Sequence, residues 1–361
     1  MEEKKKLIHI EFLRIIAAFF VIFNHTGSKG YFLFSTHPAG TFPYFLYMAF
    51  SVFIKISVPL FLMISGALLL KKDITYEKIF KNKILKMLIV LVIFSAVFYI
   101  RLHIKKYSTV FNIKDFLIRL YKGDIIIPYW YLYAYISFLL AFPFLRSMVK
   151  ELPEGTYKYL ILLSVIFTSV LPCLEYRFSL GTVTLNQYGK ISWIFTNIVI
   201  FPLIGYYLEN VLDIEKVSKK QLLILNGISV LGIIVSCYMT YFKHKITGEC
   251  NEVVSQDFMD TFVLLIAIPV YLNAKIFFQK HSIKNWLEKI ILSIGSCSFG
   301  IYLIHMAIIE STFISNIWNA CTVVNHFNCM IVILLLCLLS FLISYIIVFI
   351  LKKIPGVKKL I

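Results

Sequence analysis

Charge is scarce in these 361 residues. Asp, Glu, Lys and Arg together make up 15%, against about 25% for an ordinary water-soluble domain. That shortage, with 60% apolar residues and a mean hydropathy of +0.83, excludes a soluble globular protein. Acid is scarcest, with 19 acidic residues against 36 basic ones and a net charge of +17. The positive charge is dispersed over short loops, and no soluble basic domain exists to hold a duplex, so nucleic acid is excluded as a partner. No Pro/Ser-rich linker, low-complexity tract or stretch long enough for a second domain interrupts the pattern. The lack of an internal repeat disfavours transporters built on inverted repeats. Seven cysteines show no metal-ligand spacing, so no metal site is expected. Cys237, Cys297 and Cys337 fall in apolar runs, whereas Cys173, Cys250, Cys321 and Cys329 fall near one membrane side, where a disulfide stays open. No small-x-small cleavage site follows the first run and Arg14 lies inside it, so Lys4, Lys5 and Lys6 precede a retained helix, not a signal peptide.

What remains is apolar sequence in membrane-length pieces. Runs of about 18 to 25 residues occur at 7–26, 45–70, 84–104, 128–147, 158–174, 188–208, 221–242, 258–278, 290–310 and 328–351. They predict an all-α integral membrane protein of about ten transmembrane helices in a single domain, 1–361, with a polar cavity lined by helix 1. The fifth run is short, and Lys55 and Pro59 interrupt the second, which predicts a kink or a separate interfacial segment. With both termini inside, 23 basic residues fall on the cytoplasmic side and 11 on the outer side. The excess favours N-in and C-in and contact with anionic lipid, although the basic stretch 101–122 runs against it. Lipid satisfies no backbone group, so any chemistry must come from side chains lining a cavity between helices.

Arg14 and His25 are the most informative pair. Eleven residues at about 100° each return within roughly 20° of three full turns, so both side chains share a helix face about 16 Å apart. Ionisable residues in a membrane helix usually face a protein interior or water-filled cavity and mark a site. Arginine stays cationic and presents a fork of donors, which suits an anionic or carbonyl-bearing ligand. Histidine takes a proton near neutral pH, which suits deprotonation of a hydroxyl. The alternative also stands: His25 caps the helix at the interface and Arg14 snorkels to the headgroups.

Other candidates are weaker alone. His305, with Tyr302 one turn before it and Glu310 beyond, either lines the cavity of His25 or makes a packing hydrogen bond. Lys55 either meets an acidic or phosphorylated acceptor or snorkels. Trp130 and Tyr131 suit an aromatic belt or a sugar-stacking surface. Ser65 and Gly66 suit close helix packing. Glu252, Asp257 and Asp260 read as solvated.

The segment 10–25, from Ile10-Glu11-Phe12-Leu13-Arg14 to Phe23-Asn24-His25, resembles helix 1 of the membrane acyltransferase 3 family, whose hallmark is Arg, ten residues, then His. Val58-Pro59-Leu60-Phe61-Leu62-Met63-Ile64-Ser65-Gly66 resembles its second helix. The likeness recurs at Trp130-Tyr131-Leu132-Tyr133, Gly205-Tyr206-Tyr207-Leu208 and Ser298-Phe299-Gly300-Ile301-Tyr302-Leu303-Ile304-His305. The resemblance implies a ten-helix membrane enzyme without a bound cofactor, which moves an acyl group from cytoplasmic acyl-CoA to a surface glycan. Arg14 and His25 would then be its essential catalytic pair. Where the family often has Arg-x-x-Arg after helix 2, this chain has Lys83-Ile84-Leu85-Lys86, which keeps the charge for a CoA phosphate but loses the bidentate fork. With Lys83 and Lys86, the residues Lys55, Trp130, Tyr302 and His305 complete the expected substrate and acyl-CoA contacts.

Some relatives carry an extracytoplasmic hydrolase-like domain; the chain ends at Ile361 with none, so transfer is expected within the membrane domain or through a separate polysaccharide-biosynthesis partner. Acetyl-CoA is the first-choice donor, with succinyl an alternative, and the acceptor is a surface or lipid-linked saccharide. A polysaccharide exporter or flippase is the competing reading. A membrane-bound O-acyltransferase of the unrelated fold built on a buried histidine would not explain the Arg14 and His25 spacing. The abundance of Lys, Ile and Phe, with few Ala and Arg, suggests an AT-rich bacterial genome and a cytoplasmic-membrane location.

Overall fold

The computed structural model describes residues 8–106, 111–179 and 197–361, and every regular element among them is helical. In chain order the main helices are α1 (Ile8–Asn24), α2 (Phe42–Ile54), α3 (Ser57–Leu69), α4 (Leu85–Lys106), α5 (Ile113–Lys122), α6 (Trp130–Glu151) and α7 (Glu154–Val165). They continue with α8 (Leu171–Ser179), α9 (Asn197–Tyr206), α10 (Lys219–Thr247), α11 (Val263–Lys280), α12 (Asn285–Ile309) and α13 (Cys329–Leu351). Eight stretches are long and apolar enough to cross a membrane: Phe42–Leu69, Tyr76–Leu102, Ile127–Glu151, Glu154–Phe178, Lys219–Thr247, Val263–Lys280, Asn285–Ile309 and Cys329–Leu351. The protein is therefore an all-α, multi-pass membrane protein. The first and sixth apolar runs correspond to shorter helices, α1 with 17 residues and the stretch Ile198–Val211. Lys4, Lys5, Lys6 and Leu7, residues 188–196 of the sixth run, and parts of the connections 105–127 and 175–187 lie outside the described residues.

Two departures from the apolar pattern have simple causes. The fifth run looks short because Glu154, Lys158, Glu175 and Arg177 lower its hydropathy, yet these polar ends are helical and the stretch Glu154–Phe178 is 25 residues long. The second run does break where expected. Lys55 and Ile56 close three-residue turns onto Val52 O and Phe53 O, at 3.2 and 3.4 Å, and α3 restarts at Ser57. Pro59 then sits in the first turn of α3, where its missing N–H breaks no intrahelical bond.

The basic stretch that ran against the charge rule is partly helix α5, ten residues long and amphipathic. Asn112 caps it, accepting from the backbone N–H groups of Lys114 and Asp115 at 3.0 and 3.2 Å, and Gly123 ends it with φ +72°. Its inner side packs Phe116 against Tyr99, whose hydroxyl donates to Asp115 at 2.7 Å. Lys114, Arg119 and Lys122 thus decorate a helix too short to cross a bilayer, a form that suits the membrane surface.

Helix packing is set by small residues, because lipid tails are as apolar as Leu and supply no hydrophobic drive between helices. The closest crossing is α3 on α9. A Cβ on Gly66 would overlap the Pro202 backbone, and a Cβ on Gly205 would overlap the Met63 backbone. Helix α1 is the hub, packing against α2, α3, α11, α12 and α13. Large apolar residues such as Val92, Leu231, Ile234, Leu335 and Ile346 point outward from the bundle, where lipid is their solvent.

The glycine crossing gives a direct test. Gly205→Ala should lower the stability of the detergent-solubilised protein by about 1–3 kcal/mol through overpacking. Gly227→Ala, in α10 with nothing within 4 Å of the added Cβ, should leave it unchanged or raise it. Thermal unfolding of both variants beside wild type reads the difference, and equal midpoints would refute the close-crossing account.

Candidate active site

Helix α1 stops one residue before His25, and its last turn tightens as His25 N–H and Thr26 N–H donate to Ile22 O and Phe23 O, at 3.2 and 3.0 Å. The imidazole folds back, with Nδ1 2.7 Å from Val21 O. A carbonyl can only accept, so Nδ1 carries the proton. His305 repeats the arrangement on α12, with Nδ1 2.6 Å from Tyr302 O. Its Nε2 faces the His25 Nδ1–H at 3.2 Å and so is the acceptor of that contact. Each ring is thus oriented by a backbone carbonyl that accepts from its Nδ1. His305 is fully buried, while His25 opens onto a cavity with Nε2 as its basic atom.

That cavity has a volume of about 510 Å³, within the range of roughly 300–1,000 Å³ usual for small-molecule sites. Its polar wall includes Asn24, Lys55, Ser57, Thr168, Gln256 and Asp260, and its aromatic wall includes Tyr31, Phe32, Trp130, Tyr131 and Tyr302. Asp260, read from sequence as solvated, is part of this wall, whereas the side chains of Glu252 and Asp257 lie outside the described residues. The break between α2 and α3 places Lys55 here, its ammonium 5.1 Å from the Tyr31 ring centroid. Trp130 stands half-exposed in the same wall at the start of α6.

Arg14 opens onto a second cavity, of about 280 Å³, whose wall includes Ser65, Lys83, Lys86, Tyr131, Tyr135, Ser298 and Tyr302. The π-helical turn Phe80–Ile84 carries Lys83, and Lys86 lies in the first turn of α4. Three cations thus share one small chamber. Arg14 also pairs with Glu11, Nη1 to Oε1 at 2.6 Å, one turn back along α1 and away from His25. Gly295 makes room for Glu11, since a Cβ there would overlap its carboxylate. The single polar seam expected from the spacing of Arg14 and His25 is therefore two chambers. They share a wall, because Tyr131 and Tyr302 line both.

Sequence reasoning named Arg14, His25, Lys55, Lys83, Lys86, Trp130, Tyr302 and His305, and all but His305 line one of the two cavities. His305 meets the site through His25 and through Tyr302, one turn before it. The pairing of Glu11 was missed, although an acid one turn from Arg14 inside an apolar run was a visible signal. A buried network around Glu209 was missed too. Its Oε2 lies 2.9 Å from His9 Nε2 and accepts from the Tyr271 hydroxyl at 3.0 Å, while Lys275 donates to Leu208 O and Glu209 O at 2.7 and 3.0 Å. It ties the start of α1 to the turn Tyr207–Val211, 200 positions on, and through it to Tyr271 and Lys275 of α11, and nothing local announces it. A second missed cluster joins Tyr44, His244 and Ser255, with the His244 ring between the two hydroxyls at 2.6 and 2.8 Å. Ser255 spends its proton on Asn251 O at 2.6 Å and all three side chains are buried, so this cluster is packing, not a nucleophile. All seven cysteines are free thiols, and no metal-holding group of His, Cys, Asp and Glu occurs among the described residues.

Apolar helices closed around a histidine chamber and a cationic chamber define a multi-pass membrane protein with polar sites in its interior. The profile of the Acyl_transf_3 family, an acyltransferase domain, matches residues 7–349, nearly the whole chain. The chain belongs to that family and is a membrane acyltransferase. Comparison with the curated proteins and with the solved structures finds no match.

The Glu209 network should behave as structure. Glu209→Ala leaves Lys275 and His9 buried without their carboxylate and should cost about 3 kcal/mol or more of stability, while Glu209→Gln should cost less. A thermal melt in detergent checks the order, and an unchanged Glu209→Ala midpoint would show that the network carries no stability.

Proposed function

We propose that this acyltransferase moves an acyl group, acetyl in the first instance, from cytoplasmic acyl-CoA to a hydroxyl of a surface or lipid-linked glycan. The observation that carries the reading is His25: its Nδ1 proton is shared between Val21 O and His305 Nε2, which leaves its own Nε2 to act as a base toward a cavity of ligand size. The walls of that cavity suit a saccharide. Aromatic faces such as Trp130 and Tyr131 match the C–H faces of sugar rings, while Asn24, Thr168, Gln256 and Asp260 offer partners for hydroxyls. Lys55 suits an acidic or phosphorylated group on the acceptor.

The donor belongs in the other chamber. Arg14, Lys83 and Lys86 supply three positive charges for CoA phosphates, and the excess of basic residues favours the cytoplasm for this side. Because Arg14 leans toward Glu11 and away from His25, its role is to hold the donor; polarising the thioester carbonyl at the base would need the opposite rotamer. The roughly 16 Å between the pair along α1 then falls to the extended pantetheine arm.

In the reaction, Nε2 of His25 takes the acceptor hydroxyl proton as the oxygen attacks the thioester carbon. The tetrahedral intermediate collapses with cleavage of the C–S bond, and the CoA thiolate leaves with the proton held on Nε2. His305 is a positioning residue, because its Nε2 accepts from His25 Nδ1–H and steadies the ring.

Transfer from labelled acetyl-CoA in membranes, with mass spectrometry of the glycan fraction, tests the reading. Wild type should form an ester, and His25→Ala should reduce its rate by about 10²–10⁴-fold. Arg14→Ala should abolish transfer at low donor concentration and recover part of it when acetyl-CoA is raised. His305→Ala should lower kcat about tenfold, as loss of a supporting shell does, with the donor KM unchanged. An unmodified glycan in every sample, with export that differs between variants, would replace the acyltransferase chemistry with transport.

A further inference from the structure

Tyr131 and Tyr302 line both the His25 cavity and the Arg14 cavity. Their rings meet edge to face with centroids 5.5 Å apart, and both residues are almost wholly buried. Neither ring is loose. The Tyr302 hydroxyl donates to Pro128 O at 2.6 Å, and Tyr129 answers with a bond to Leu303 O at 2.8 Å, so α12 and the start of α6 are strapped together twice. Tyr131 is held between Phe61 and Tyr135, each with ring centroids 6.0 Å from its own. The same turn of α12 supports the base, since Tyr302 O accepts from His305 Nδ1 and His305 faces His25.

A bundle with polar chambers joined end to end would pass water and protons, and water in the His25 chamber would compete with the acceptor for a thioester. Two packed rings at the junction answer that requirement. They also limit what goes through: a dense interior opens only by discrete side-chain displacement, and each added methylene needs more of it. We propose that Tyr131 and Tyr302 form the partition between the donor and acceptor chambers and set the bulk of the acyl group that crosses. The selectivity rests on the acyl-CoA reading above; the partition itself does not.

Two measurements separate these. In sealed vesicles, Ser65→Cys marks the Arg14 chamber and Thr168→Cys the His25 chamber. A charged, membrane-impermeant methanethiosulfonate is applied to one face at a time and its adduct read peptide by peptide, with the native cysteines as internal controls. Each new thiol should react from one face only, and the two faces should be opposite. Adding Tyr131→Ala or Tyr302→Ala should raise reaction from the formerly closed face at least tenfold, while Tyr131→Phe should not. Labelling of either thiol from both faces with the tyrosines intact, or closed-face labelling unmoved by either alanine, overturns the partition. Should Tyr302→Ala fail to accumulate, Tyr131→Ala decides, because Tyr131 does not take part in the straps between α12 and α6.

The second measurement compares transfer from butyryl-CoA and acetyl-CoA. The butyryl-to-acetyl ratio should rise at least tenfold in Tyr131→Ala and stay at the wild-type value in Tyr131→Phe. A parallel fall for both donors, with the ratio constant, overturns the role in acyl size. If wild type transfers from neither donor, the acyl-CoA reading fails together with the size role, and the labelling result alone judges the partition.

Discussion

The hydrogen bond from His25 Nδ1 to Val21 O fixes the ring that faces the larger cavity, and it forms at the very end of α1. Placed in the tightened last turn, the ring bends back onto the helix, and its tautomer follows from the carbonyl it meets. His305 arrives from α12 with its own ring fixed in the same way, so both rings are ordered by backbone carbonyls. The cavity wall therefore carries an imidazole oriented by backbone geometry inside an apolar protein, and the rest of the architecture serves to keep α1 where it is.

That service is done by polar contacts at the start of α1 and by close packing along it. His9 and Glu209 anchor its first turn to α11, Glu11 fits the space left by Gly295 on α12, and α3 and α13 close the remaining sides. Lipid contributes no hydrophobic drive between helices, so shape and buried polar pairs have to supply the specificity. The α3 and α9 crossing shows the same rule without charge, where two glycines let backbones touch.

Dividing the interior into two chambers reconciles two demands on one site. On the acyl-CoA reading proposed above, a phosphorylated donor needs cations and an aqueous approach, while an acyl thioester poised beside a base needs water kept out. The cations Arg14, Lys83 and Lys86 stand in one chamber and His25 in the other, with tyrosine rings as the shared wall. The carboxylate of Glu11 draws Arg14 away from His25 and so sharpens the division that α1 only begins.

The apolar runs alone determined that the protein is helical and crosses a membrane, since lipid allows few other ways to satisfy a backbone. The positions of Arg14 and His25 on one stripe of α1, the break at Lys55 and the family resemblance were equally readable, because periodicity and motif spacing are local properties of the chain. Tertiary structure alone decided that Arg14 turns to Glu11, that His305 meets His25 across 280 positions, that Asp260 joins the cavity wall and that two tyrosines line both cavities. Each of those depends on which helices become neighbours and how closely they approach, and in a membrane that is set by small residues and buried partners far apart in sequence.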